Sequence, residues 1–181
     1  MEAASRTPQL QAGTKRLKLP GTDYEFAVNP SGHIIGLGSN QELLEAIGDW
    51  ISSQFRLPVT PNIPKLRFTS SDFMISMRYG KGSAAAMQYR PDILALYDST
   101  TKTIYLRRTW TRTSPVDISI LVHEMVHHMQ NEARLRFDCP EARETLAFEA
   151  QAAWLALFGT NLIEKFELDS FSVWARSTCM Y

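Results

Sequence analysis

The pentapeptide His-Glu-Met-Val-His at residues 123–127 constrains this chain more than any other part of its sequence. Histidines four residues apart project from the same face of an α-helix, so His123 and His127 can bind one zinc ion between them. Glu124 lies beside such an ion without being its ligand, and its carboxylate can take a proton from a metal-bound water molecule. The motif therefore predicts a helix with a zinc site, and the alternative is a buried helix with two incidental histidines.

The residues around the motif predict a long, buried helix over about residues 116–135. Ser114 is a typical N-cap residue, and Pro115 suits the first helical position. Apolar residues occur on nearly all sides of this segment, which is typical of a helix in the protein interior. Histidines in such a helix need polar partners, and a metal ion satisfies both. We expect His128, about 100° around the helix from His127, to lie on the surface or behind the ligands.

The third zinc ligand is predicted to come from a carboxylate downstream of the motif. A catalytic zinc ion takes three protein ligands and leaves one position open for water, and no histidine follows His128. Four acidic side chains are candidates: Asp138, Glu141, Glu144 and Glu149. Glu144 and Glu149 belong to a predicted helix over about residues 140–158, and its periodicity leaves both open because several of its sides are apolar.

The residues that follow the motif resemble a known group of enzymes. The stretch LVHEMVHHMQ at residues 121–130 is followed by Cys139-Pro140 and then by the segment Arg143-Glu144-x-x-Ala147-Phe148-x-x-Gln151. This order resembles small bacterial zinc metallopeptidases of the gluzincin type, and most of all an uncharacterised, mostly rhizobial family. The resemblance covers about residues 93–158 and implies Glu144 as the third zinc ligand, with Glu149 as its rival. Phe148 stands where that family more often has tyrosine.

Gln130 follows His127 by one helical turn. It is predicted either to hydrogen-bond a zinc ligand or the loop that carries Cys139, or to lie on the helix surface. A partner of the first kind holds a ligand histidine in one tautomer.

We expect a protein of the α+β class, with a flexible arm over residues 1–22 and a single domain over residues 23–181. The resemblance implies the zincin-like form of a minimal metallopeptidase. In this form a small antiparallel sheet of about three to five strands packs on the active-site helix and on a second long helix. The predicted strands lie near residues 23–28, 34–35 and 66–68, and further helices span about residues 40–55 and 70–78.

Residues 93–98 and 103–107 flank a polar turn and predict the clearest β-hairpin in the chain. In zinc peptidases of the implied form, the edge strand above the cleft pairs with an extended peptide. Residues 103–107 precede the active-site helix and are a candidate for this edge, in which case Tyr105 or Arg107 can also help to hold the substrate. For Tyr105 and Arg107 we favour cross-strand packing over a role in holding the substrate.

Charge and hydropathy exclude several classes of partner. The chain has 181 residues with 19 basic and 19 acidic side chains, so it lacks the positive charge that binds nucleic acid or an anionic membrane. The sequence contains no apolar run long enough to predict a transmembrane helix. Its first residues also lack the apolar segment of a signal peptide. The partner that the resemblance implies is a peptide or protein substrate.

The two cysteines, Cys139 and Cys179, are not spaced as a CxxC redox pair or a zinc knuckle. Either both are buried thiols, or they form one disulfide that ties the C-terminal tail to the segment after the active-site helix. A disulfide predicts a periplasmic or secreted protein, and free thiols predict a cytoplasmic one.

The leading hypothesis is a zinc-dependent peptidase in which His123, His127 and Glu144 hold zinc and Glu124 is the general base. The alternative is a non-catalytic zincin-like domain that uses zinc for structure or for binding a partner. An open coordination position facing a cleft indicates the enzyme, and a blocked position indicates a structural site. A third hypothesis has no metal at all.

Overall fold

Two three-stranded sheets and several helices make up the part of the chain that the computed structural model describes, residues 12–82, 93–167 and 170–179. The protein is therefore of the α+β class, as the sequence predicts. Side chains of both sheets and of the three longest helices meet in one hydrophobic core.

The first sheet is an antiparallel meander near the N-terminus. Its strands are β1 (Lys15–Lys18), β2 (Glu25–Val28) and β3 (Ile34–Ile35). Phe26 of β2 and Ile34 of β3 are buried in the core. Strand β1 lies within the segment 1–22 that we predicted to be a flexible arm, so this part of the arm is paired in a sheet instead. Leu17 is the single apolar residue of β1, which is why its sequence does not indicate a strand. Residues 1–11 lie outside the described part of the chain.

The second sheet is mixed, with the strand order β4–β6–β5. Its strands are β4 (Lys65–Thr69), β5 (Ala95–Asp98) and β6 (Thr103–Arg107). Strands β5 and β6 form the predicted hairpin, whereas β4 pairs parallel to the other side of β6. We predicted an antiparallel sheet and considered residues 103–107 as its edge, and neither holds for this sheet. Among the described strands β6 is central and β4 and β5 lie at the edges, because a parallel neighbour joins β6 through a long connection that local sequence patterns do not reveal.

Most of the helices begin and end close to the predicted positions. They are α1 (Asn40–Phe55), α2 (Ser71–Tyr79), α3 (Pro115–Glu132), α4 (Glu144–Leu157), α5 (Leu162–Phe166) and α6 (Ser170–Ser177). The hydroxyls of Ser39, Ser70 and Ser114 cap α1, α2 and α3 by accepting a backbone N–H of the first turn. A 3₁₀ turn over Pro140–Arg143 leads into α4, where we predicted one continuous helix. Within the described residues, no helix combines the length and the hydropathy that crossing a bilayer requires.

Helix α3 occupies the centre of the core, where it packs against α1, α4 and the strands β5 and β6. Its apolar residues are therefore buried on nearly all sides, as the sequence predicts. Trp50 of α1 and Trp154 of α4 meet edge to face, with ring centroids 5.6 Å apart. This contact packs α1 against α4, and Nε1 of Trp154 donates to the carbonyl oxygen of Pro115 at 3.0 Å, which ties α4 to the start of α3.

Candidate metal centre

Helix α3 brings His123 and His127 to the same side, one turn apart. Their ring centroids lie 4.9 Å apart and their Nε2 atoms 3.2 Å apart. The two side chains are only 14% and 7% exposed, respectively. Two imidazole nitrogens therefore point at one spot in a largely shielded place.

Glu144, the first residue of α4, completes the cluster. Its Oε2 atom lies 3.1 Å from Nε2 of His123 and 3.2 Å from Nε2 of His127. One donor atom from each residue lies within 4.8 Å of the others, so the cluster can hold a metal ion. The three residues predicted as metal ligands are thus brought together by the packing of α4 against α3.

The other carboxylates considered for the third position lie elsewhere. Asp138, Glu141 and Glu149 are exposed, and within the described residues none of them belongs to a group that could hold an ion. Glu149 follows Glu144 by five residues, which places it about 140° around α4 from the cluster. Glu149 is therefore no longer a rival for the third ligand position.

The donor atoms and their spacing suit a zinc ion. Zinc binds imidazole nitrogens and carboxylate oxygens at about 2.0–2.2 Å, so such atoms in a tetrahedral arrangement lie about 3.3–3.5 Å from one another. The distances among Nε2 of His123, Nε2 of His127 and Oε2 of Glu144 are 3.1–3.2 Å. An ion can therefore enter the cluster with shifts of a few tenths of an ångström.

The close contacts shift the pKa values of Glu144 and His123. Burial raises the pKa of Glu144, but hydrogen bonds from His123 and His127 outweigh it and hold the pKa well below its usual range. Burial also lowers the pKa of His123, yet the hydrogen bond to Glu144 and the charge of Glu124 leave this pKa above its usual value. The carboxylate thus stays ionised, as a metal ligand must be.

Glu124 is buried on α3 beside His123, with 8% of its surface exposed. No group among the described residues donates a hydrogen bond to its carboxylate. Its negative charge raises the pKa of the neighbouring His123, so the carboxylate lies near the cluster.

A protein family described as a domain of unknown function, DUF6647, matches the chain over residues 38–180. This protein belongs to the DUF6647 family. The matched region begins just before α1 and includes the whole His123–His127–Glu144 cluster, whereas the first sheet precedes it. No curated protein and no solved structure matches the chain.

Two glutamines of this DUF6647 domain contact the far sides of the imidazoles. Oε1 of Gln130 lies 3.2 Å from Nδ1 of His127, so the contact to a ligand predicted for Gln130 is present. Oε1 of Gln151 lies 3.1 Å from Nδ1 of His123. Gln151 was not among the predicted site residues, although its spacing of seven residues from Glu144 places both on one face of α4.

Phe148 of the DUF6647 domain packs its ring edge to face on His123, with ring centroids 4.9 Å apart. A phenylalanine offers the imidazole an apolar neighbour and has no hydroxyl that could donate a proton. The contact shields one side of the cluster from water.

His128 is fully buried, which corrects the prediction that it lies on the surface or behind the ligands. Its Nε2 lies 2.6 Å from the carbonyl oxygen of Asn62, and its Nδ1 lies 3.1 Å from the hydroxyl of Tyr97. Burial lowers the pKa of His128. This histidine therefore ties α3 to β5 and to the connector before β4.

Cys139 and Cys179 form a disulfide, one of the two arrangements that the sequence left open. The bond joins the start of the 3₁₀ turn before Glu144 to the residues after α6. At the same junction the hydroxyl of Thr145 donates to the carbonyl oxygen of Ser177, at 3.0 Å. The C-terminal segment is thus fastened next to the residue that contributes the carboxylate of the cluster.

Proposed function

We propose that this DUF6647 protein is a zinc-dependent peptidase. The observation that carries the proposal is the convergence of His123, His127 and Glu144 on one point, beside the buried carboxylate of Glu124. Two imidazoles and one carboxylate are a ligand set of catalytic zinc, which keeps a further position for water. Because three such ligands converge within the described residues, the arrangement favours an open site over a closed structural one.

Individual residues of the site have separate roles in the proposed hydrolysis. A zinc ion held by His123, His127 and Glu144 would polarise a peptide carbonyl and lower the pKa of a water molecule beside it. Glu144 would be the anionic ligand, since both histidines keep it ionised. Glu124 would accept a proton from that water and deliver it to the amine of the leaving group. Phe148 excludes solvent from one side of His123.

The same elements support a zincin-like fold and a peptide substrate. Helix α3 packs below a small sheet, and α4 provides the third ligand. The edge that faces an extended substrate is β5 in this proposal, in place of the candidate residues 103–107. The carbonyl of Leu94 accepts from the N–H of Arg107, at 3.3 Å. Because pairing alternates along an antiparallel strand, the backbone groups of Ala95 and Tyr97 point away from β6, towards a possible substrate strand.

The disulfide supports a location in the periplasm or outside the cell. Disulfides persist in oxidising compartments and are rare in the cytosol. The Cys139–Cys179 bond is therefore part of the proposal for a periplasmic or secreted peptidase.

The variant Glu124→Gln tests the mechanism. It keeps the size of the side chain and removes its ability to accept a proton. We expect zinc content to stay at that of the wild type and hydrolysis of a library of internally quenched peptides to fall by about 10²–10⁴-fold.

Glu149→Gln is the matched control, since Glu149 is an exposed carboxylate on α4. It should change neither zinc content nor hydrolysis. Full activity in Glu124→Gln, or zinc-loaded wild-type protein that cleaves no peptide of the library, contradicts the proposal.

A further inference from the structure

The imidazoles of the cluster are held on their far sides by carboxamides that bridge to other parts of the fold. Oε1 of Gln151 contacts Nδ1 of His123 at 3.1 Å, and Oε1 of Gln130 contacts Nδ1 of His127 at 3.2 Å. Gln130 and Gln151 are 2% and 5% exposed. A buried carboxamide needs hydrogen-bond partners for both its carbonyl oxygen and its NH₂ group.

The orientation of Gln151 follows from its second contact. The hydroxyl of Ser119 donates to the carbonyl oxygen of Val116 at 2.7 Å, and a carbonyl can only accept. The oxygen of Ser119 is then free to accept from Nε2 of Gln151, which lies 3.3 Å away. The oxygen of Gln151 therefore faces His123, so Nδ1 of His123 must carry the proton that it shares with this oxygen.

Gln130 is oriented in the same way by a different carbonyl. Its Nε2 donates to the carbonyl oxygen of Arg143 at 3.0 Å, which leaves its Oε1 for Nδ1 of His127. Nε of Arg143 also lies 3.3 Å from this Nδ1, but a guanidinium only donates. That contact requires an unprotonated Nδ1, so Gln130 is the partner that suits an imidazole bound to metal through Nε2.

Both glutamines also connect the helices that supply the ligands. Gln151 lies on α4 and reaches His123 and Ser119 on α3, while Gln130 lies on α3 and reaches the residue directly before Glu144. The contacts therefore restrain the separation of the histidines from Glu144 as well as the rotation of each ring.

We propose that Gln151 and Gln130 are positioning residues that keep the protons of His123 and His127 on Nδ1, so that both Nε2 lone pairs are directed at the point faced by Glu144 once a metal ion takes the place of the Nε2 protons. The inference rests on the zinc site of the proposed function, but not on hydrolysis. The usual partners of such histidines are carboxylates, backbone carbonyls or water. Two neutral amides orient the rings without adding negative charge, so two imidazoles and one carboxylate leave a divalent ion with a net positive charge.

The test compares Gln151→Leu and Gln130→Leu with Gln151→Glu and Gln130→Glu. Leucine is close to glutamine in size but has no oxygen that can accept a hydrogen bond from Nδ1. Glutamate keeps such an oxygen. We expect each leucine variant to bind zinc about 10–100-fold more weakly in competition with a chelator. The glutamate variants keep the acceptor but lose the N–H that holds the side chain in place, so we expect them to bind zinc more tightly than the leucine variants. Gln41→Leu, an exposed change on α1, is the control that should leave affinity unchanged.

Proton NMR of the zinc-loaded protein supplies a readout that general loss of stability does not move. Gln151→Leu should speed the exchange of the Nδ1 proton of His123 with water and leave that of His127 unchanged, and Gln130→Leu should do the reverse. Wild-type affinity in both leucine variants, or equal effects on the two ring protons, overturns the inference.

The outcomes separate this inference from the proposed function. If the wild type binds zinc and cleaves no peptide while the glutamine variants behave as expected, the inference holds and the peptidase proposal fails. If the leucine variants bind zinc as the wild type does and peptides are cleaved, the peptidase proposal holds and the inference fails. A wild-type chain that takes up no zinc overturns both.

Discussion

At the scale of single residues, the position of one carboxylate determines whether the histidine pair can become a metal site. Glu144 and Glu149 lie on the same helix, and both are compatible with its apolar pattern. Only Glu144 comes within 3.2 Å of both Nε2 atoms. The two side chains differ in their direction around the helix axis, since a step of five residues turns Glu149 about 140° away from Glu144.

The variant Glu144→Gln is expected to lose zinc, because a neutral amide is a poor ligand and no longer offsets the charge of the ion. The loss of affinity should exceed the roughly 10–100-fold that typically follows the removal of an outer partner of a ligand. Competition with a chromogenic chelator measures it. Glu149→Gln is the control, and equal affinities of the two variants would show that Glu144 is not a ligand.

At the scale of secondary-structure elements, the packing of α3, α4 and β5 arranges the site. Helix α3 carries both histidines and the proposed base, α4 carries the third ligand, and β5 is the sheet edge nearest to α3. Tyr97 connects β5 to α3, since its hydroxyl contacts Nδ1 of His128 and accepts from the side chain of Asn131 at 3.2 Å. The edge strand is thus held by a buried polar contact to the helix that carries the two histidines of the candidate site.

The variant Ala95→Pro tests whether β5 receives the substrate. Proline removes the outward N–H of Ala95 and costs no hydrogen bond within the sheet, because proline is tolerated on an edge strand. We expect KM for a peptide substrate to rise several-fold while zinc affinity stays unchanged. Steady-state kinetics and chelator competition measure the two quantities.

Leu96→Pro is the contrasting variant at this edge. The N–H of Leu96 faces β6, so its loss should destabilise the sheet and lower the thermal midpoint of unfolding. A KM in Ala95→Pro equal to that of the wild type would place the substrate elsewhere on the molecule.

At the scale of the whole molecule, the disulfide closes the C-terminal part of the chain around α4. Its cysteines are separated by 40 residues, and the enclosed segment contains Glu144 and Gln151. The chain after α4 is therefore tied back to the turn from which the third ligand emerges. A cross-link of this span stabilises the native state by restricting the unfolded chain.

Removal of the disulfide is expected to lower the free energy of unfolding by about 4 kcal/mol, from the loss of loop-closure entropy for a loop of this length. Urea unfolding of the double variant Cys139→Ser/Cys179→Ser, compared with the oxidised wild type, measures the difference. The reduced wild type should have the same midpoint of urea unfolding as the double variant. Identical unfolding midpoints with and without the bond would contradict the prediction.

Local features of the chain were predictable because they depend on neighbours in sequence. The caps at Ser114 and at the other helix starts follow from hydroxyl side chains that satisfy free backbone N–H groups. The shared face of His123 and His127 follows from the helical repeat alone. The hairpin of β5 and β6 follows from two apolar runs around a polar turn. Each of these features depends only on residues that lie close together in the sequence.

Features that depend on distant parts of the chain were not predictable in this way. Strand β1 shows no strand pattern, and it is defined by its pairing with β2. Strand β6 is central because β4, which precedes it by more than thirty residues, pairs with its other side. His128 is buried because a carbonyl from the connector at Asn62 reaches it. No periodicity within these segments encodes their partners.

The sequence by itself determined the helix with two histidines and a neighbouring carboxylate, because a regular helix converts spacing directly into a common face. It also restricted the third ligand to a few acidic residues downstream. Only the tertiary structure decided that Glu144 meets the histidines, that Gln151 supports His123, and that β5 forms the sheet edge beside α3. Each of these depends on the angle and register at which separate elements pack in the shared core, which no local pattern in the sequence specifies.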